Sequence, residues 1–222
     1  MKRILVVGAG GQIGTELVPY LQHIYGEDNV IAADLKDELV EKLGQGAIAE
    51  KLDALDAKHF DEIVTKYKVD AIYNLVALLS AKGEHMPGVA WHLNITALIN
   101  ALNIAQAHHC SIFTPSSIGS FGPDTPRDNT PQDTIQRPTS MYGVTKVATE
   151  LLSDYYFHKY GVDTRSVRFP GLISYTTLPG GGTTDYAVEI YYAAVKGEEF
   201  VCPIARGTYM DMMYMPDALK AA

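Results

Sequence analysis

The feature that most constrains this chain is a glycine-punctuated turn between its first apolar run and its first amphipathic stretch. Ile4–Val7 is short and wholly apolar, and it leads into Gly8-Ala9-Gly10-Gly11-Gln12-Ile13-Gly14. Gln12–Tyr25 then places Ile13, Leu17, Leu21 and Ile24 on one helical face. Strand, glycine turn and helix in that order open a βαβ unit. The alternation continues along the chain. Val30–Ala33, a run ending at Leu52, Ala71–Val76, Ser111–Thr114 and Thr164–Phe169 are expected strands. Asp56 is the expected N-cap of a helix carrying Phe60, Ile63, Val64 and Tyr67. Val89–His108 and Ser140–Tyr160 are expected long helices, the first apolar all round. Short apolar strands alternating with helices imply an α/β fold. The expected form is a Rossmann-type, doubly wound parallel sheet with helices on both faces.

At 222 residues the chain suits one large domain or one domain with part of a second. The expected division is a dinucleotide-binding domain over 1–169 and a small substrate region over 170–222. Gly119–Pro138, which holds four prolines, and Pro170–Asp185 read as long loops, the places where function concentrates. Tyr209–Met215 reads as strand or loop. Pro216 suits a first helical turn, and the helix it starts reaches Ala222 after about two turns. The substrate region is therefore expected to be incomplete at that end. Acidic residues number 26 against 18 basic ones, a formal charge of −8. That argues against nucleic acid or a membrane surface as a partner, since both need a basic footprint. Cys110 and Cys202 stand far apart and build no disulfide framework, so an intracellular, cytoplasmic setting is expected. Ile4–Val7 is too short for a signal-peptide core.

The glycines fall as G-x-x-G-x-x-G at Gly8, Gly11 and Gly14, not as G-x-G-x-x-G, because position 13 is Ile. The physics is similar: a tight turn, close backbone approach to a pyrophosphate, and a helix N-terminus facing the phosphates. The other reading is a flexible glycine turn. Asp34 closes the second strand, 20 residues after Gly14. A carboxylate there can accept both hydroxyls of an adenosine ribose and would repel a 2′-phosphate, which favours NAD over NADP. Its alternatives are a helix cap or a solvated loop acid, and Lys36 lies close enough to temper the repulsion. Asp53 either faces the adenine amine or caps the following helix. Tyr142 and Lys146 stand four apart and share a helical face. An ammonium beside a phenol favours the phenolate, an acid–base group for an alcohol or carbonyl. Ser116 and Ser117 follow a strand, where ligands sit in this architecture. There a hydroxyl can share the substrate oxygen with Tyr142, or simply form a turn.

The glycine turn, Asp34, Ser117, Tyr142 and Lys146 together resemble the extended short-chain dehydrogenase/reductase family, over the whole chain. Arg168-Phe169-Pro170-Gly171 looks like that family's strand-to-loop element bordering the nicotinamide. The stretch Tyr209–Asp217 looks like its late motif before a substrate-domain helix. Thr114–Pro123, Ile135-Gln136-Arg137-Pro138 and Pro179–Ala187 are longer matches, similar to the family's L-threonine 3-dehydrogenase branch. The resemblance implies oxidation of the L-threonine 3-hydroxyl by NAD, giving 2-amino-3-oxobutanoate. It implies Ser117, Tyr142 and Lys146 as catalytic residues. It places Gly8, Gly11, Gln12, Ile13, Gly14, Asp34, Leu35, Asp53, Leu75, Ala77, Asn94, Tyr142, Lys146 and Phe169 at the cofactor. Ser80, Ser117, Tyr142, Gly182, Thr183 and Thr184 would contact substrate. It also implies a homodimer in which the 89–108 and 140–160 helices pair with their symmetry mates. Asn94 has the alternative of an interior hydrogen bond.

Other features read as structural. The side chains of His108, His109 and Cys110 diverge, so no metal site is expected. The Met210–Met215 cluster suits core packing, and Asp37–Glu41 a solvated helix start. A nucleotide-sugar epimerase or dehydratase of the same fold is the chief rival. It needs a basic diphosphate surface, and the region after Phe169 is poor in Arg and Lys. A non-catalytic dinucleotide sensor is a second rival, and the Tyr142–Lys146 pair counts against it. Asp34 makes a direct test. The chain should bind NAD more tightly than NADP, and Asp34→Ser should narrow the gap in titrations with both. Equal affinities in the unmodified chain would remove Asp34 from the ribose.

Overall fold

Six parallel strands carry the apolar runs into one sheet. The computed structural model describes residues 2–36, 47–177, 180 and 182–222. The helix start expected at Asp37–Glu41 lies outside the described residues. The strands are β1 (Ile4–Val7), β2 (Val30–Asp34), β3 (Ile48–Lys51), β4 (Ala71–Asn74), β5 (Ser111–Phe113) and β7 (Thr164–Arg165), in the spatial order β3-β2-β1-β4-β5-β7. Order reverses between β1 and β4, where a crevice opens beyond the carboxyl ends of the strands.

Burial on both faces explains the sequence of β1. Leu5 and Val7 pack into one hydrophobic cluster, Ile4 and Val6 into the other, and none is more than 2% exposed. Alternate side chains of a strand point to opposite faces. A strand covered on both sides therefore has no polar positions, and each such burial is worth about 1.5–3 kcal/mol.

Helices α1 (Gly14–Tyr25), α2 (Ala57–Tyr67), α4 (Pro87–His108) and α5 (Met141–Tyr160) cover the sheet. The α1 face is rotated from the expected one: Leu17, Val18 and Leu21 are buried while Ile24 is 52% exposed. At Gly14 an added Cβ would lie 2.6 Å from the Ala9 Cα and the Gly8 carbonyl oxygen, so only glycine lets α1 start this close to β1. Asp56 caps α2 as expected, its carboxylate accepting from the His59 N–H at 3.0 Å. Helix α4 is buried at Ala90, Ile95, Ala97, Leu98, Ala101, Leu102, Ile104 and Ala105, which accounts for its all-round apolar character. Among the described residues no helix is long and apolar enough to cross a membrane.

Several elements depart from the sequence reading. The strand expected over Thr164–Phe169 is split. Thr164–Arg165 extends the main sheet, whereas β8 (Arg168–Phe169) pairs with β6 (Ser116–Ser117) in a separate ribbon. The supposed loop after Pro170 begins with β9 (Gly171–Ile173), which pairs in parallel with β10 (Met212–Tyr214). Two helices, α3 (Ser80–His85) and α6 (Tyr186–Lys196), join those expected. The last helix, α7 (Met215–Ala221), sends Met215, Ala218 and Leu219 into the same cluster as Leu17, Val18 and Leu21 of α1. Residues beyond 169 thus help to close one face of the sheet. His108 Nε2 lies 2.7 Å from Asp61 Oδ1, His109 turns the chain with φ 55°, and the Cys110 thiol is buried against the Val69 carbonyl. Met215 is core, while Met210 lines the crevice.

Candidate active site

The crevice beyond β1, β4 and the β6–β8 ribbon encloses about 480 Å³. Gln12, Ile13, Leu75, Ala77, Ser80, Ser117, Tyr142, Lys146, Phe169, Gly182, Thr183 and Thr184 line it, twelve of the residues singled out from the sequence. Glu84, Asp185 and Met210 line it as well.

At the glycine turn, Ile13 gives α1 no side-chain cap, and the Thr15 and Leu17 N–H groups donate instead to the Gly11 and Ile13 carbonyls at 3.0 Å and 2.8 Å. Asp34 lies beside them. Its Oδ2 accepts from the Gly10 N–H at 2.9 Å and its Oδ1 from the Lys36 N–H at 3.1 Å. A carboxylate offers about four acceptor positions, so acceptors remain for a ribose. The close glycine turn at the start of α1 and the poised carboxylate fit a dinucleotide. Leu35 is 60% exposed just past Asp34. Asp53 serves its local turn, accepting from the Leu55 N–H at 2.9 Å. Asn94 is not on the crevice wall. Its amide grips the backbone of Leu78 (2.7 Å and 3.3 Å) and donates to Thr145 Oγ1 at 3.1 Å, bracing the loop that carries Ala77.

Local structure sets Tyr142. Ser140 caps α5 by accepting from the Gly143 N–H at 3.1 Å, and Glu84 of α3 accepts from the Met141 N–H at 2.6 Å. A Cβ at Gly143 would lie 2.2 Å from the Gly119 carbonyl oxygen, so this glycine lets α5 abut the turn after Ser117. The Tyr142 ring therefore packs against Gly119, and its hydroxyl shares a hydrogen bond with Ser117. Ser117 Oγ also accepts from the Gly119 N–H at 3.0 Å.

Lys146 differs from expectation in its direction. Its ammonium donates to the Pro115 carbonyl at 2.7 Å and stands 5.4 Å from the centre of the Tyr142 ring. Burial accordingly dominates the phenol and pushes its pKa above the ordinary value, with the Ser117 hydrogen bond pulling the other way. Burial also draws the Lys146 ammonium down from 10.5 to about 8, against the Glu150 carboxylate, which favours the charged form.

Behind Ser117 lie Ser116, Gln136 and Arg168, gathered around Glu150, a residue the sequence reading does not single out. The Arg168 guanidinium holds the Glu150 carboxyl below its usual range despite partial burial. One signal is present in the sequence: Glu150 stands four residues after Lys146, on the same face of α5.

A parallel sheet in this order, with a glycine turn at the first crossover and a Tyr–Lys pair over the crevice, defines a Rossmann-type dinucleotide-dependent enzyme. The chain belongs to the NAD-dependent epimerase/dehydratase family, whose model matches residues 4–222. An uncharacterized epimerase/dehydratase of Staphylococcus saprophyticus is 55% identical over 221 residues, spanning 100% of this chain and 69% of the relative. The solved L-threonine dehydrogenase of Clostridium difficile is 57% identical with a TM-score of 0.94, over 100% of this chain and 69% of that one. A solved L-threonine 3-dehydrogenase from a metagenome, described as monomeric, is 45% identical with a TM-score of 0.93, over 98% and 70%.

The buried ammonium has a thermodynamic signature. With a folded pKa of about 8 against 10.5, the unfolded chain binds more protons between those values. Stability contributed through Lys146 therefore rises with pH across that window, and the buried charge weighs against folding below it. Lys146→Met should raise stability at pH 7 by about 1–3 kcal/mol, with the gain fading above about pH 10.5. Denaturant melts at the two pH values check this. A loss of stability at pH 7 would contradict the buried charge.

Proposed function

We propose that this chain oxidises the 3-hydroxyl of L-threonine to 2-amino-3-oxobutanoate with NAD. The observation that carries the reading is the convergence of Ser117, Tyr142 and Lys146 on one wall of the crevice. The 57% identity to an L-threonine dehydrogenase supports the substrate. On this reading residues 1–169 hold the cofactor and 170–222 supply the substrate side.

The N–H groups at the start of α1, with Gly8, Gly11, Gln12, Ile13 and Gly14, would hold the pyrophosphate. Asp34, flanked by Leu35 and with Asp53 near the adenine, would hold the ribose. Leu75, Ala77 and Phe169 would border the nicotinamide, and Asn94 would act through the loop it braces. The chemistry NAD supplies when bound is acceptance of the hydride from C3. Ser117 Oγ holds the substrate hydroxyl, and Tyr142 takes its proton. The Lys146 ammonium, 5.4 Å from the ring centre, stabilises the phenolate that proton removal from Tyr142 requires, in a site where low dielectric strengthens the interaction. Ser80 and the Gly182–Thr184 backbone and hydroxyls line the same crevice and suit the amino-acid head group.

Two alternatives fare less well. A nucleotide sugar brings a diphosphate, yet among the described residues lining the crevice Lys146 is the only cation. A cofactor sensor has no use for a proton acceptor held against a serine.

Replacing Tyr142 by Phe removes one hydroxyl and should leave fold and NAD binding intact. L-threonine-dependent NADH formation should fall by about 10²–10⁴-fold. A folded Tyr142→Phe variant with near-normal turnover would discard the assigned base.

The outer faces of α4 and α5 expose Val89, Trp91, Val144, Leu151, Tyr155 and Phe157. This supports a two-fold homodimer through these helices. Light scattering at micromolar concentration should give twice the chain mass, and Leu151→Glu with Tyr155→Glu should halve it. A monomeric unmodified chain would refute the dimer.

A further inference from the structure

The cluster behind Ser117 has no part in the chemistry above, yet its hydrogen bonds join several of the elements that carry the site. Glu150 accepts from Arg168 Nη2 at 2.7 Å, from Arg168 Nε at 2.9 Å, from Gln136 Nε2 at 2.8 Å and from Ser116 Oγ. Arg168 Nη1 donates onward to the Gln132 carbonyl at 2.8 Å, and its guanidinium lies 5.4 Å from the centre of the Phe121 ring. One carboxylate thus ties α5 to β6, to β8 and to the 121–138 loop. The β6–β8 ribbon pairs Ser116 with Arg168 and Ser117 with Phe169. The two ribbon residues that Glu150 grips, Ser116 and Arg168, are therefore the immediate chain neighbours of Ser117 and Phe169 on the crevice wall. The Arg168–Glu150 pair is largely buried, with side chains 18% and 13% exposed. Burying such a pair brings little net stability over apolar packing, so its charge has to be explained by what it faces.

We propose that Glu150 is a positioning residue. It holds Ser117 and Phe169 in register with Tyr142 and keeps the Lys146 ammonium charged beneath the phenol. The charged groups around it are Lys146 and Asp154 on α5, Arg168 on β8, Arg165 on β7 and Asp133 of the loop. Arg168 binds the carboxylate directly, whereas Lys146, one turn away on the same face of α5 and bonded to the Pro115 carbonyl, feels its charge.

The kcat part of this proposal rests on the L-threonine reading above, whereas the charge part needs no substrate. The test uses the intact chain and acetic anhydride as a probe of neutral amines, with mass spectrometry of the peptide carrying Lys146. Glu150→Gln removes the negative charge but keeps the shape. Lys146 should then be acylated several-fold faster at pH 7, because more of it is neutral. Arg168→Gln frees the carboxylate toward Lys146 and should slow acylation. Both variants should lower kcat for L-threonine by roughly 10–10²-fold, the scale of a small misplacement at a reacting centre, with KM changed far less. Opposite signs in labelling are not produced by a merely structural role. If one variant fails to fold, the labelling of the other decides. Unchanged acylation in a folded variant, or unchanged kcat in an active enzyme, overturns the proposal. Labelling that shifts as expected in a chain inert toward L-threonine would refute the substrate reading while upholding the role of Glu150.

Discussion

The site is built around one buried ammonium. Lys146 is 7% exposed, and its hydrogen bond to the Pro115 carbonyl joins α5 to the end of the β5 region. A cation in that position is costly unless backbone and carboxylate partners surround it. Those partners are what shape the crevice. Pro115 begins the turn that presents Ser116 and Ser117, and Glu150 ties that turn to Arg168. The Tyr142 ring packs against Gly119, 5.4 Å from the ammonium, because α5 can abut that turn, which depends on Gly143.

The sheet supplies the frame. Strand order reverses between β1 and β4, so the glycine turn after β1 and the Leu75–Ala77 segment after β4 diverge and leave room for a ligand. The dinucleotide end depends on a close backbone approach at Gly14 and on Asp34. The reacting end depends on the β6–β8 ribbon, which splits from the main sheet after β5 and β7. Burying polar groups at both ends is paid for by the two apolar clusters on either side of β1.

Much of this frame is legible in the sequence, for a physical reason. Strands covered on both faces read as unbroken apolar runs, as in Ile4–Val7, and helices carry caps such as Asp56. What escaped reading lacked such marks. β6 is two serines in a turn, and β8 is separated from β7 only by Ser166 and Val167. Helix α6 lacks a side-chain cap at Asp185 and carries Glu189 in its first turn, so only Gly197 marks its end. For the site, the spacing of Tyr142 and Lys146 shows that they share a face. It does not show that Lys146 turns to Pro115, because that acceptor comes from a residue 31 positions away. The Glu150–Arg168 clamp is half legible: the spacing puts Glu150 on the Lys146 face of α5, but its partners Ser116 and Arg168 meet only once the ribbon has formed.

The central claim is net hydride transfer from the carbon bearing the substrate hydroxyl. L-threonine carrying deuterium at C3, incubated with NAD and the chain, tests it most directly. Mass spectrometry should find NADH one mass unit heavier, formed in equal amount to the oxidised product. Cofactor recovered as unlabelled NAD, with no deuterated NADH at any time, would contradict it.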